Sequence, residues 1–374
     1  MKEYIEFLKY SLKSNRLLPE NVQIVDWKKM MVWAEGQVIV GLIYHGILRA
    51  DKDIQIPFDT LMQWIGYAQR IEMQNRLLNK KCVEVIQEYG EAGYKCVLLK
   101  GQGNATMYPN PLLRTSGDID IWVYAKEEKR SKREEIVDYV RRKNPKAEVR
   151  YYHIEYMDGR VPVEAHFMPG IINNPFYNRR LQQWYDRMAD RGSMITEVKL
   201  PEDVGRIPVP STEFNIIFQL AHMMHHFFDE GIGLRQFVDY YYLLKSVHGE
   251  RLMVLGDVEE TLKYLNLYNF AGAVMYIMKE VLGLDEQYLI VPVDERRGKT
   301  LLNEILKGGN FGHHSGLDQK NALKKYFQKT WRNLHLVKEY PSEALCEPFF
   351  RTWHFFWRKN AKQQTFSHFH TFFI

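Results

Sequence analysis

Apolar residues recur at spacings of three and four along most of the chain and at spacings of two in a short middle section, and this change of period divides it. Across residues 58–93, Leu61, Ile65, Ala68, Ile71, Leu77, Leu78, Cys82 and Val85 keep helical spacing with no proline, which predicts one long amphipathic helix or a broken pair. Upstream, residues 3–17 and 26–48 read as shorter helices joined through Pro19, an all-helical N-terminal arm. The texture changes at Tyr94-Lys-Cys-Val-Leu-Leu-Lys, a short apolar run between Gly93 and Gly101 that suits a buried strand. A second such run covers residues 118–124. Residues 125–143 begin heavily charged and end in Ile136, Val137 and Val140 at helical spacing, and the interleaved Glu, Lys and Arg read as a solvated helix face rather than a nucleic-acid patch. Residues 148–156 and 160–167 alternate around Asp158-Gly159, a hairpin-turn dipeptide. Beyond residue 208 helical spacing returns over 213–228, 234–247, 258–281 and 294–306, followed by a Gly/His loop at 308–316 and a tail.

Composition narrows the class. The chain has 374 residues, 45% of them hydrophobic and 26% charged, which excludes a mini-protein, a disordered chain and a fibre. The net charge of +5 is too small for wholesale nucleic-acid packaging. Cys82, Cys96 and Cys346 are an odd number, far apart, without a CxxC pair, which favours a reducing, cytoplasmic setting. The first eleven residues mix Lys2, Glu3, Glu6 and Lys9 among apolar residues and offer no signal-peptide core. No uncharged run approaches the roughly 20 apolar residues that span a bilayer.

The chemistry concentrates in the two-residue-period section. On a strand Asp118 and Asp120 share one face while Ile119, Ile121 and Val123 share the other. Two carboxylates about 6–7 Å apart on an apolar strand need a compensating cation or several hydrogen-bond donors. Oxygen-only ligands suit a hard ion, Mg²⁺ or Mn²⁺. In Val161-Pro-Val-Glu164-Ala-His166-Phe167, Glu164 and His166 lie opposite the apolar face, so Glu164 completes a three-carboxylate cluster if the two strands are neighbours. The bland alternative is that the aspartates blunt an edge strand and Glu164 faces water. Upstream, Lys100-Gly101-Gln102-Gly103-Asn104 is a glycine turn at a strand end, where backbone N–H groups can cradle phosphate. It is neither a P-loop nor a GxGxxG match, since Thr106 stands at the last position. A phosphate turn beside a metal-binding acid cluster points to phosphoryl or nucleotidyl transfer.

The ordered set Val97-Leu-Leu-Lys-Gly101, Tyr108-Pro109, Arg114, Asp118-Ile-Asp120-Ile and Val163-Glu164-Ala-His166 resembles the uncharacterised nucleotidyltransferase family, a branch of the polymerase-beta-type nucleotidyltransferase superfamily. The resemblance spans about residues 60–250, with weaker matches at Glu91-Ala-Gly-Tyr, His222 and Asp239. It implies that Gly101 and its neighbours Gln102, Gly103 and Asn104 hold a triphosphate, with Lys100 and Arg114 as further contacts. It also implies that Asp118 and Asp120 bind two Mg²⁺ or Mn²⁺ ions, that Glu164 shares one of them and helps deprotonate the acceptor hydroxyl, and that pyrophosphate leaves. The acceptor would be a small molecule, a sugar among them, or a protein side chain. One departure is Gln102, where the superfamily's turn carries serine.

The resulting fold class is α+β: a small mixed β-sheet nucleotidyltransferase domain (94–207) between a helical N-terminal region (1–93) and a helical domain (208–310), with an aromatic-rich basic helical tail (311–374). His222, His225 and His226 share a helical face, but without an HExxH glutamate or a nearby cysteine they do not read as a zinc site. His222 reads as packing or hydrogen-bonding, with Asp239 on the next helix as its expected partner. His166, His222 and Asp239 are the candidate substrate-facing residues. Residues 320–374 hold ten Lys/Arg, three Glu and fourteen aromatics. The tail therefore fills a C-terminal core, or lays Trp353, Phe356 and Trp357 with Arg351, Arg358 and Lys359 on an anionic membrane or a protein partner. The competing function is a catalytically silent binding module of the same fold, engaging a protein or membrane partner through the tail, and a third is modification of tRNA or another RNA, which predicts binding that weakens steeply with salt.

Overall fold

A computed structural model describes the chain apart from residues 14, 128, 192–193, 230, 248–257, 309–321 and 364–374. The N-terminal arm is helical as the spacing predicts, with α1 (Lys2–Leu12), α2 (Trp27–Gln37) and α3 (Val40–Ala50). Asp26 caps α2 by accepting from the Lys29 backbone N–H at 3.0 Å. The long helical pattern is one unbroken helix, α4 (Phe58–Glu91), whose 34 residues extend about 50 Å. Trp64 near its start joins the larger hydrophobic core, and Leu78, Cys82, Val85 and Tyr89 near its end join the second core beneath the sheet.

The main sheet runs in the order β1 (Tyr94–Leu98), β2 (Ile119–Lys126), β6 (Val161–His166), β5 (His153–Asp158) and β4 (Glu148–Val149), with β3 (Lys129–Arg130) pairing only with β2. Only the β2–β6 pair is parallel, so the sheet is mixed. The strand expected over 148–156 divides, because the chain reverses at Tyr151–Tyr152 and folds β4 back on β5, with the Arg150 N–H donating to the His153 carbonyl at 2.8 Å. Asp158-Gly159 makes the predicted turn, Gly159 taking φ +62°. Helix α5 (Gln102–Ala105) follows the Lys100–Gly101 turn, and α6 (Arg133–Lys143) buries Ile136, Val137 and Val140 against the far face of the sheet.

Two elements went unread in the sequence. Helix α7 (Pro175–Ala189) was signalled by Asn174, whose side chain accepts from the Phe176 and Tyr177 N–H groups, by Pro175 at its first position, and by Leu181, Trp184, Tyr185 and Met188. The hairpin β7 (Ile195–Lys199) and β8 (Arg206–Pro210) alternates, but Pro208 and Pro210 masked it.

Helices α8 (Thr212–Asp229) and α9 (Leu234–Ser246) follow close to their predicted bounds. The helix expected over 258–281 is broken into α10 (Val258–Tyr264) and α11 (Tyr268–Tyr276), the latter continued by a π-turn at Ile277–Val281. Asn266 ends α10 at φ +58°, a left-handed conformation that asparagine tolerates. Then come α12 (Glu295–Gly308), α13 (Ala322–Leu334) and α14 (Pro341–Gln363). Nearly all of the predicted Gly/His loop and the last nine residues lie outside the described residues, as does the Lys359 side chain. The N-terminal helices and the helices after the sheet share one hydrophobic cluster, which includes Phe7, Met30 and Ile43 with Phe218, Phe237 and Leu262. Among the described residues no helix is long and apolar enough to cross a membrane.

Candidate active site

Strand register brings the acidic residues together. In the parallel β2–β6 ladder Asp120 stands opposite Glu164, so the face predicted for each strand is the same face of the sheet. Ile119, Ile121, Val163 and Ala165 on the opposite face are buried in the second core, which fixes which way the carboxylates point. Oxygens of Asp118, Asp120 and Glu164 all lie within 4.8 Å of one another. Asp118 has no hydrogen-bond or ion-pair partner among the described residues.

A chain of charged contacts runs through this cluster. Asp120, 2% exposed, receives Lys100 Nζ at 3.3 Å on Oδ2 and His166 Nε2 at 3.1 Å on Oδ1. His166 Nε2 also lies 3.2 Å from Glu164 Oε2. Burial disfavours charge on the His166 ring, but its hydrogen bonds to Asp120 and Glu164 prevail and lift its pKa to about 9. Burial likewise opposes the Lys100 ammonium, and Asp120, Asp118 and Glu164 outweigh it and raise its pKa. Burial would raise the Glu164 carboxyl, yet the His166 hydrogen bond holds it below its ordinary value. On its other side Lys100 donates to His222 Nε2 at 3.1 Å. An ammonium has only donors, so His222 accepts there as a neutral ring, and burial and then Lys100 hold its pKa well below the ordinary value.

The predicted phosphate turn divides. Gly101 takes φ +63° and ψ −118°, a conformation that suits glycine, and lines the cavity beside the carboxylates with Lys100 and Asn104. The Gln102 amide instead donates to Asn79 Oδ1 at 2.5 Å and to Asn75 Oδ1 at 3.3 Å on α4, so its side chain anchors the turn from behind. Gly103 packs against Val209, where an added Cβ would come within 2.8 Å. Asn104 Oδ1 accepts from Gln219 on α8 at 3.2 Å.

Asp239 does not meet His222. It forms a buried bidentate pair with Arg114, Nε–Oδ1 2.8 Å and Nη2–Oδ2 2.7 Å, and accepts from Tyr108 Oη at 2.6 Å. Burial opposes the Asp239 charge, and Arg114 keeps its pKa lowered all the same. Beside this pair, Arg235 donates through Nη1 to the Thr115 carbonyl at 3.2 Å, while its buried Nε has no partner. Two guanidinium groups therefore face one carboxylate. Burial first, and Arg114 second, lower the Arg235 pKa.

These groups line one cavity of about 1110 Å³, with the carboxylates on the sheet, Arg235 and Asp239 on α9 and His222 on α8. The family model described as uncharacterised nucleotidyltransferase matches residues 23–283. The chain belongs to this family. Comparison with curated proteins and with solved structures gives no match to either.

The three carboxylates fit the divalent metal that the nucleotidyltransferase family implies: they are hard oxygen donors, they converge, and one has no partner of its own. Helices α12, α13 and α14 lie beyond the nucleotidyltransferase match, yet α13 and α14 roof the cavity through Tyr326, Lys329, His354, Phe355, Phe356 and Arg358. The roof is pinned at several points. Lys329 pairs with Asp229 on α8 at 2.9 Å, and Asn333 donates to the Phe228 carbonyl on α8 and to Glu347 on α14, both at 3.0 Å. Glu343 accepts from the Asn173 and Asn174 N–H groups at 2.7 and 3.2 Å. The tail's aromatics accordingly divide. Phe350 is buried against Tyr151, Trp357 stacks under Arg133, Phe355 and Phe356 face the cavity, and Phe349 is exposed.

Sequence reasoning did not single out Arg235 or His153 as residues of this cavity. Arg235 had a signal, its place one helical turn before Asp239. His153 had its alternation with Glu155 and its place on the predicted hairpin, on the strand opposite the one that carries Glu164 and His166.

Proposed function

We propose that this protein is a metal-dependent nucleotidyltransferase that moves a nucleoside monophosphate from an NTP to an acceptor hydroxyl and releases pyrophosphate. The observation that carries the reading is the convergence of the Asp118, Asp120 and Glu164 carboxylates, one of them without a partner, on a single cavity. Bound Mg²⁺ or Mn²⁺, held by these three residues, would supply the charge that stabilises the attacking and leaving oxygens. Glu164 is the group suited to take the acceptor's proton, because His166 keeps it ionised. The acceptor oxygen then bonds to the α-phosphorus as the bond to the pyrophosphate oxygen breaks. Lys100, Arg235 and the Gly101 turn supply cationic and close-approach contacts for the triphosphate. Arg114 acts behind them, held by Asp239. A small-molecule hydroxyl, such as that of a sugar, fits the volume of the cavity, and a protein side chain is the other acceptor class.

Thermal stability of the wild type and of the Asp118→Ala/Asp120→Ala double variant, measured with each of four NTPs with and without Mg²⁺, tests this reading. A metal-dependent rise with one NTP, absent in the double variant, is expected. No rise with any NTP turns the assignment to a silent binding module of the same fold.

A further inference from the structure

Glu164 belongs to two possible ligand sets. With Asp118 and Asp120 it offers oxygens alone, whereas with His153 and His166 it offers one carboxylate and two imidazoles whose ligand atoms also lie within 4.8 Å of one another. The sheet builds this second set. His153 on β5 stands opposite His166 on β6, and Glu164 precedes His166 by two residues on the same face. His166 Nε2 is 3.2 Å and His153 Nδ1 3.7 Å from the same oxygen, Glu164 Oε2. His153 is 6% exposed, and its buried Nδ1 makes no hydrogen bond. Leaving such a nitrogen buried and unpaired is costly, which a ligand at that atom would relieve. Tyr152 packs edge-on against the His153 ring with centroids 4.6 Å apart, and the two imidazole centroids are 5.1 Å apart, so the rings are held in place.

We propose that His153, Glu164 and His166 form a second divalent-metal site, one that takes a first-row transition ion in preference to Mg²⁺, with Mn²⁺ as its paramagnetic probe. Imidazole nitrogen suits transition ions, while Mg²⁺ favours oxygen ligands and retains its waters. His166 would bind through Nε2, the atom now hydrogen-bonded to Asp120 and Glu164, and the proton it carries leaves to solvent as the ion binds. The site shares only Glu164 with the oxygen-only set, so the cavity holds two ion sites of different chemistry. The inference rests on the proposed function only for the use made of the ion, and not for the ion's ligands.

Pulsed electron paramagnetic resonance of the Mn²⁺-loaded protein reads nitrogen ligation directly. The wild type is expected to show nitrogen modulation that changes isotope when histidine is ¹⁵N-labelled, is weakened in His153→Asn and in His166→Gln, is lost in the His153→Asn/His166→Gln double variant, and persists at full depth in His222→Asn. The wild type alone also tests the preference: in a large excess of Mg²⁺ the nitrogen-modulated Mn²⁺ should stay bound. Mn²⁺ bound without nitrogen modulation, modulation left unchanged by either single variant or surviving the double variant, displacement of that signal by Mg²⁺, or no Mn²⁺ binding at all each overturns the site. A metal-dependent NTP response without nitrogen modulation sinks this inference and leaves the nucleotidyl-transfer reading standing. Nitrogen modulation without any NTP response does the reverse.

Discussion

Arg114, just ahead of β2, and Asp239 on α9 form a buried two-pronged ion pair that ties the helical layer to the sheet domain across 125 residues of sequence. Asp239 also accepts from Tyr108 and, with Asp118, favours the charge on Arg235. Removing one member of a buried pair leaves the other uncompensated. Asp239→Ala should therefore lower unfolding stability by about 3–5 kcal/mol, read from the urea midpoint. The double change Arg114→Met/Asp239→Leu should recover at least half of that loss. Full stability in Asp239→Ala would mean that the pair does not hold the layers together.

Asp118 and Asp120 are two residues apart and should answer differently to mutation. Asp118 has no partner, so Asp118→Ala should change stability by less than about 0.5 kcal/mol, as for a surface substitution, while weakening Mn²⁺ binding roughly tenfold or more. Asp120→Ala removes the shared acceptor of Lys100 and His166 and should cost about 3 kcal/mol or more in stability as well. Calorimetric titration with Mn²⁺ alongside chemical denaturation separates the two effects. Equal stability losses would show that Asp118 is held by something other than a ligand.

Arg235 is a buried cation of the cavity with no carboxylate in salt-bridge contact among the described residues. Arg235→Met should raise stability slightly, because it removes a buried guanidinium with an unpaired Nε. The same change should weaken NTP binding by about 1.5–3 kcal/mol, the worth of a charge-assisted hydrogen bond, and leave nucleoside binding unaltered. Competition binding of a triphosphate, a monophosphate and a nucleoside measures this. Equal weakening for all three would place Arg235 away from the phosphates.

Glu343 makes the roof sensitive to pH. Its carboxyl is buried, and burial outweighs the Asn173 and Asn174 N–H donors to push its pKa up to about 7. A carboxyl raised above its unfolded value binds its proton more tightly when folded, so it favours folding fully below about pH 4.5 and loses that contribution as the pH rises to about 7. The contribution amounts to about 3 kcal/mol. Glu343→Gln should flatten the stability profile between these limits relative to wild type, as followed by denaturant melts at several pH values. A variant profile parallel to wild type would mean that the carboxyl titrates normally.

The sequence by itself determined whatever depends on neighbours along the chain. Helical spacing marked α4, α8 and α9 because an amphipathic helix must bury one stripe, and two-residue alternation put Asp118 with Asp120 and Glu164 with His166 on polar faces opposite buried isoleucine, valine and alanine. The ordered motifs were enough to point to the family that the match over residues 23–283 bears out. Where local signals conflicted, reading stopped short. Prolines hid the β7–β8 hairpin, and a left-handed Asn266 split a helix that looked continuous.

The predicted hairpin already set β5 beside β6, and with it His153 beside His166, but only the tertiary structure decided that β6 lies beside β2, and hence that Glu164 meets Asp120 in parallel register. Ladder partners are chosen by long-range packing and loop closure, neither of which leaves a mark in a local pattern. The same holds for Arg114 with Asp239, for the unpaired Nε of Arg235, and for the tail helix that ends as the roof of the cavity. Each of these is a meeting of charges or rings contributed by distant segments, and the energy that selects it exists only once the chain has folded.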